Sequence, residues 1–141
     1  MTENQATLAQ VQTMLQDWQQ DPMNMKQTFI DYAHWLAAQE GITLEYKARP
    51  GVSYSLRACH AHQSTRPLFV LVDIVDDEPE ARWLSVCFYA DMVNDPDELA
   101  DFVPQGLMGE DACCLNLDTD DDSLRAYVRA RIEEAAAAAA A

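Results

Sequence analysis

The chain has 141 residues and carries 24 acidic against 9 basic side chains, for a formal net charge of −15. With 49% hydrophobic residues and only 4 Gly and 6 Pro, the composition excludes a disordered or collagen-like chain. The length suits one domain, 1–141, with a core of its own. A field of that sign repels nucleic acid and anionic membrane and attracts basic partners, and no apolar run approaches the ~20 residues of a bilayer span.

Residues 2–20 read as a helix. Leu8, Val11, Leu15 and Trp18 fall on one stripe, and Thr2 with Gln5 has the form of a capping box. Six Gln occupy the rest of the segment, so this first helix, within residues 1–21, is expected at the periphery. Asp21-Pro22 supplies an N-cap and a first-turn proline for a second helix that ends before Gly41. Met25, Phe29, Tyr32 and Leu36 form its stripe, widened by Ile30, Ala33 and Ala37, which suits burial against a sheet.

From Ile42 the period changes to two. Ile42, Leu44 and Tyr46 alternate with Thr43, Glu45 and Lys47 in a first strand. Pro50-Gly51 fits the centre of a type II turn. A second strand follows, with Val52, Tyr54, Leu56 and Ala58 inward and Ser53, Ser55, Arg57 and Cys59 outward. Pro67–Val75 is apolar on both faces, which marks a central strand, and the charged connection Asp76–Glu80 leads to a fourth, Arg82–Ala90. Asp95, Pro96 and Glu98 then predict a short helix closed by Pro104. Ala112–Leu117 is a fifth strand, and Leu124, Tyr127, Val128 and Ile132 stripe a terminal helix that runs into an alanine tail, 135–141. The tail either extends the helix into solvent or is foreign to the native chain.

The order α-α-β-β-β-β-α-β-α, with short connections between strands, predicts an α+β two-layer sandwich. It has an antiparallel sheet of about five strands and helices mainly on one face. In element order, size and acidity the chain resembles small acidic secretion chaperones, a likeness of fold alone.

The four cysteines, Cys59, Cys87, Cys113 and Cys114, lie mostly in strand-like apolar runs, where a free thiol acts as a small hydrophobe. Two are adjacent and ill placed to pair with each other. A reduced, cytoplasmic protein is expected; the N-terminus carries no basic cluster followed by an apolar run.

Cys59-His60-Ala61-His62 holds the residue types of a zinc site, with Cys87 able to join on the same strand face. Cys59 and His60 point to opposite faces of a strand, however, and no second ligand pair completes a metal motif. Asp118, Asp120 and Asp122 match the first three ligand positions of a calcium loop, but Ser123 and Arg129 stand where glycine and the bidentate glutamate are needed. Nucleophile and phosphate-loop patterns are missing. No cofactor and no metal are expected.

Two surfaces stand out. Residues 91–122 hold 11 acids and no Lys or Arg, while five of the nine basic residues fall in 47–82. Asp97, Asp101, Asp118 and Asp120 are the candidate steering residues for a basic partner. By strand parity the face away from the helices carries Ser55, Arg57, Trp83 and Tyr89, with Ser53, Cys59, Ser85 and Cys87; aromatic side chains and an Arg among small polar residues suit a contact surface. The sequence thus reads as a non-catalytic protein-binding domain, adaptor-like or chaperone-like, acting as a homodimer on a basic protein partner. A small-ligand or metal-binding domain using Tyr54, Arg57, Cys59 and His60 is the alternative. A hydrolase or transferase with a scattered site is a third.

Overall fold

A computed structural model describes residues 2–141. The helix α1 spans Glu3–Asp17, and its capping box forms: the Thr2 hydroxyl accepts from the Gln5 amide at 3.1 Å and Gln5 accepts from the Thr2 amide at 2.8 Å. The turn Asp21–Met25 follows. Asp21 does cap the next helix, but from further off: its carboxylate accepts from the amides of Met25 and Lys26 at 2.8 and 3.0 Å. Asn24 adopts a positive φ of 56°, which keeps Pro22 outside the helix. The helix α2 accordingly starts at Lys26 and runs to Ala38, and Gly41, at φ 85°, turns the chain into the sheet.

The strands are β1 (Ile42–Arg49), β2 (Ser53–His60), β3 (Val70–Val75), β4 (Trp83–Tyr89), β5 (Asp101–Leu107) and β6 (Glu110–Leu117), followed by α3 (Asp122–Ala140). They form one antiparallel sheet in the order β1-β2-β3-β4-β6-β5. The sandwich is as expected, with six strands instead of five. The additional strand replaces the predicted helix after Asp95. Asp95 accepts from the Leu99 and Ala100 amides at 3.0 and 2.9 Å, yet Glu98 takes φ 54°, so the capped turn does not propagate. Pro104 and Gly106 sit within β5 where its register with β6 slips between Val103 and Leu107. An edge strand tolerates a proline there, because one side of its backbone has no ladder to complete.

All three helices pack on one face of the sheet. Val11 and Leu15 of α1, Phe29 and Leu36 of α2, and Val128 and Ile132 of α3 share a core with Leu44, Leu56, Val72, Ile74, Val86 and Leu115. The first helix is therefore not peripheral. Beyond its buried stripe, Asn4 brackets the outer strand β1, donating to the Ile42 carbonyl at 2.8 Å and accepting from the Leu44 amide at 2.9 Å, and the Thr7 hydroxyl reaches the Leu44 carbonyl. Nor is the alanine tail free in solvent: Ala135, Ala136 and Ala139 are buried against the core. Two further expectations change. Val52 is 59% exposed, because it belongs to the β1–β2 turn instead of the inward row. Cys87 and Cys114 are not free but joined as a disulfide between directly opposed positions of β4 and β6.

Asp76, the first residue of the charged connection, is buried at 3% exposure. Its carboxylate accepts from the Arg82 guanidinium at 2.6 Å and from the Gly51 amide at 2.8 Å, while its own amide donates to Val52. The Arg82 guanidinium also lies 5.7 and 5.6 Å from the ring centres of Trp18 and Tyr54. One ion pair thus joins the end of α1, the β1–β2 turn and the β3–β4 connection. Burial acts to raise the Asp76 carboxyl, but the Gly51 amide and Arg82 outweigh it and hold the group below its usual range. Stability from Asp76 is therefore present above the unfolded carboxyl pKa near ~3.9 and is lost as pH falls through the lower folded value. Asp76→Ala, which leaves Arg82 buried without its partner, should cost about 3–5 kcal/mol in urea unfolding, whereas replacing both residues by Leu and Met should cost less.

Candidate binding surface

The face opposite the helices is built by strand parity and registered across the sheet. Arg49, Ser53, Val75 and Trp83 stand in one transverse row. Lys47, Ser55, Asp73, Ser85 and Asn116 form the next. Glu45, Arg57, Leu71, Cys87, Cys114 and Asp101 form a third. The structure thus brings Ser55, Arg57 and Trp83 onto one surface, as parity requires. Trp83, Arg57, Asp73, Val75 and Ser85 are partly exposed, while Ser55 is buried at the centre between its neighbours.

Tyr89 does not belong to the accessible surface. It is fully buried in a second, smaller cluster with Leu68, Leu107 and Ala112, and Arg66 lies over its ring at 4.2 Å. Arg66 in turn pairs with Asp91 and Glu110, each at 2.8 Å; the hydrogen bonds from Arg66 hold the Asp91 carboxyl below its usual range. This strap closes one end of the sheet face and leaves the Trp83 end open.

Asp73 is the residue that strand patterning missed. It is the single acid inside the apolar run of β3, and β3 points it into the middle of the polar row. One of its carboxylate oxygens is buried without a hydrogen-bond partner. Burial, opposed by the Ser55 hydroxyl and by the positive charges of Arg57 and Arg49, holds its carboxyl above the usual range.

The acidic segment is more engaged than its sequence implies. Arg125 pairs with Asp120 at 2.7 Å and with Asp122 at 2.9 Å, which places two of the three calcium-like positions in an ion-pair cluster. Asp121 caps α3 through the Leu124 amide, Asp111 accepts from the Gln105 amide, and Asp95 accepts from the Tyr127 hydroxyl. Burial would raise Asp95, but that hydroxyl together with the two capped amides holds it low. Asp97, Asp101 and Asp118 remain exposed and make no side-chain hydrogen bond or ion pair among the described residues.

The metal-like cluster is separated by the strand it sits on. The Cys59 thiol donates to the Thr43 carbonyl on the outer side at 3.4 Å, and burial, with Glu45 and Glu3 nearby, pushes the thiol up. His60 faces the helix side, where its ring meets Gly41; a Cβ there would lie 2.9 Å from the ring. His62 contacts the Ala140 carbonyl at 3.0 Å. Cys87, engaged with Cys114 in the third row, is separated from β2 by the intervening strand β3. Among the described residues no group of three or more His, Cys, Asp or Glu side chains is arranged to hold a metal ion, and no helix is long and apolar enough to cross a membrane.

Cavities of about 250 to 530 Å³ run along helix–sheet seams, at the loop beside the end of α3, and at the outer edge of β1, where Arg57 contributes. Comparison with protein-family models, curated proteins and solved structures finds no significant match.

A carboxyl whose folded pKa is raised lowers stability as pH rises from the unfolded to the folded value, and the loss persists above it. Asp73→Asn should therefore raise the melting temperature at pH 7 by about 2–4 °C, the equivalent of about 1 kcal/mol in a chain of this size. The difference from the wild type should shrink below about pH 4, as a pH series of thermal unfolding curves would show.

Proposed function

We propose that the protein is a non-catalytic binding domain that holds a protein partner on the open end of its sheet, around Trp83, Arg57 and the Ser55–Asp73–Ser85 row. The supporting observation is the unequal cover of the two sheet faces. Every helix packs on one side, while the other keeps an indole, a guanidinium and apolar Leu71 and Val75 partly exposed. An indole and apolar side chains beside an Arg and small polar groups are the residue types that carry contact energy at protein interfaces.

The partner is a basic protein. Asp97, Asp101 and Asp118 are exposed acids, and the chain's overall charge of −15 raises the encounter rate of a basic surface. Lys47, Arg49 and Arg57 line the β1–β2 side of the open face, so the partner's own contact surface carries acids toward that side. A homodimer formed by apposing two such faces would place equal charges beside the same apolar centre; in the protein's own solution this is the competing occupant. The same field argues against nucleic acid as the partner.

The expected result is separable by face. In capture experiments from the native host, Trp83→Asp should abolish the association that wild type shows. Reversing Asp97, Asp101 and Asp118 to Lys should slow association, with an effect that fades at high salt, because rim charges act over about 8 Å at physiological ionic strength. Bound proteins unchanged by Trp83→Asp at either salt would refute the assignment. A protein whose sedimentation shows a dimer broken by Trp83→Asp would place a second copy on the face instead.

A further inference from the structure

On the helix side, where α1 stops at Asp17 and the sheet runs on to the Pro50–Gly51 turn, a cavity of about 300 Å³ opens between the helix and the strands. Its shape follows from the register. Ala48 stands opposite Tyr54, and Tyr46 occupies the preceding inward position of β1. A methyl group between two phenol rings leaves a hollow along the flank of α1, bounded on the helix side by Gln10, Thr13, Met14 and Asp17.

Three observations define the chemistry of this hollow. Two aromatic rings and a thioether line it, which suits a cation lying against π faces. Arg82 also lines it, but its guanidinium is engaged by Asp76 at 2.6 Å and flanked by Trp18 and Tyr54. The carboxylate of Asp17, which makes no hydrogen bond or ion pair among the described residues, is the lining charge left without a counterion. Finally, the Tyr46 hydroxyl is buried with no hydrogen-bond partner, whereas buried polar groups normally have one. An anion would meet Asp17 and the field of the whole molecule; a neutral apolar ligand would leave Asp17 unanswered.

We infer that this cavity binds a small alkylammonium ion. Its alkyl part packs on Met14 and the rings, an N–H donates to the Asp17 carboxylate, and the Tyr46 hydroxyl oxygen accepts a second. The ammonium arrives either as a free amine or as the side chain of a lysine, and the cavity's chemistry is the same for both. The site lies on the opposite side of the sheet from the proposed protein-binding face and does not depend on it.

The probe is n-butylammonium, titrated into the full chain while the Met14 methyl and Tyr46 ring signals are followed by NMR. Saturable shifts are expected with a Kd of about 1 mM or tighter, and none with butyrate or n-butanol at the same concentrations. Asp17→Asn should weaken binding about three- to fivefold, the worth of one partly solvated ion pair. Ala48→Leu, which fills the hollow, should abolish binding while the chain still unfolds cooperatively. A Gly-Lys-Gly tripeptide separates the two sources: binding of butylammonium alone assigns the cavity to a free amine, and binding of the tripeptide as well assigns it to a lysine side chain. Shifts that do not saturate, that butyrate or butanol reproduces, or that both variants retain would overturn the inference.

Discussion

Three helices and six strands leave the sheet covered on one side, and most of the structure follows from that imbalance. Because strand side chains alternate, covering one face commits every second residue of β1, β2, β4 and β6 to the core and its neighbours to the outside. The inward rows are built from Leu, Val, Ile and Phe, with Tyr46, Tyr54 and Ala58 beside them. The outward rows mix Ser, Cys and charged residues with Leu71, Val75 and Trp83. A slip of one residue in any central strand would exchange the two sets, so the same patterning that fixes the register also generates the open face.

A sheet left open on one side needs both of its edges protected, and the two are protected differently. At β1 the chain uses α1: Asn4 and Thr7 bond directly to the strand's outer backbone groups, so a helix forms the border. At β5 the sequence itself is unsuited to further pairing, through Pro104 and the register slip beside it. The Asp76–Arg82 pair then fixes the end of α1 to both neighbouring strand connections. Its position also shapes the cavity beside Tyr54, since a guanidinium engaged with Asp76 leaves Asp17 as the unanswered charge on that wall.

Much of this was legible in the sequence, and the failures have physical causes. Alternation in residues 42–60 and 83–89 identified both the strands and the outward set Ser55, Arg57 and Trp83. Capping chemistry located α1, and an apolar stripe located α3. Composition misled at Pro104, which read as the end of a short helix although an edge strand accepts a proline, since the rule that excludes proline from strands applies to central positions. Asp76 read only as one acid of a charged connection because its partner Arg82 lies across a turn, and nothing local distinguishes it from Asp77 or Glu78. Tyr89 was placed outward correctly by parity and is nevertheless buried, since Arg66 arrives from a separate loop to cover it. The cavity at Ala48 depends on how the flank of α1 lies over β1, a tertiary relation that no window of sequence contains.

The claim that the open sheet face is the working surface rests most heavily on Trp83. Hydroxyl-radical footprinting of the purified chain, read by mass spectrometry with and without its captured partner, measures that residue's exposure directly. Trp83 and neighbouring Val75 should be oxidised readily in the free protein and protected in the complex, while buried Phe29 and Phe69 stay unmodified in both. Equal oxidation of Trp83 in the free and bound protein, with protection appearing elsewhere, would contradict the account.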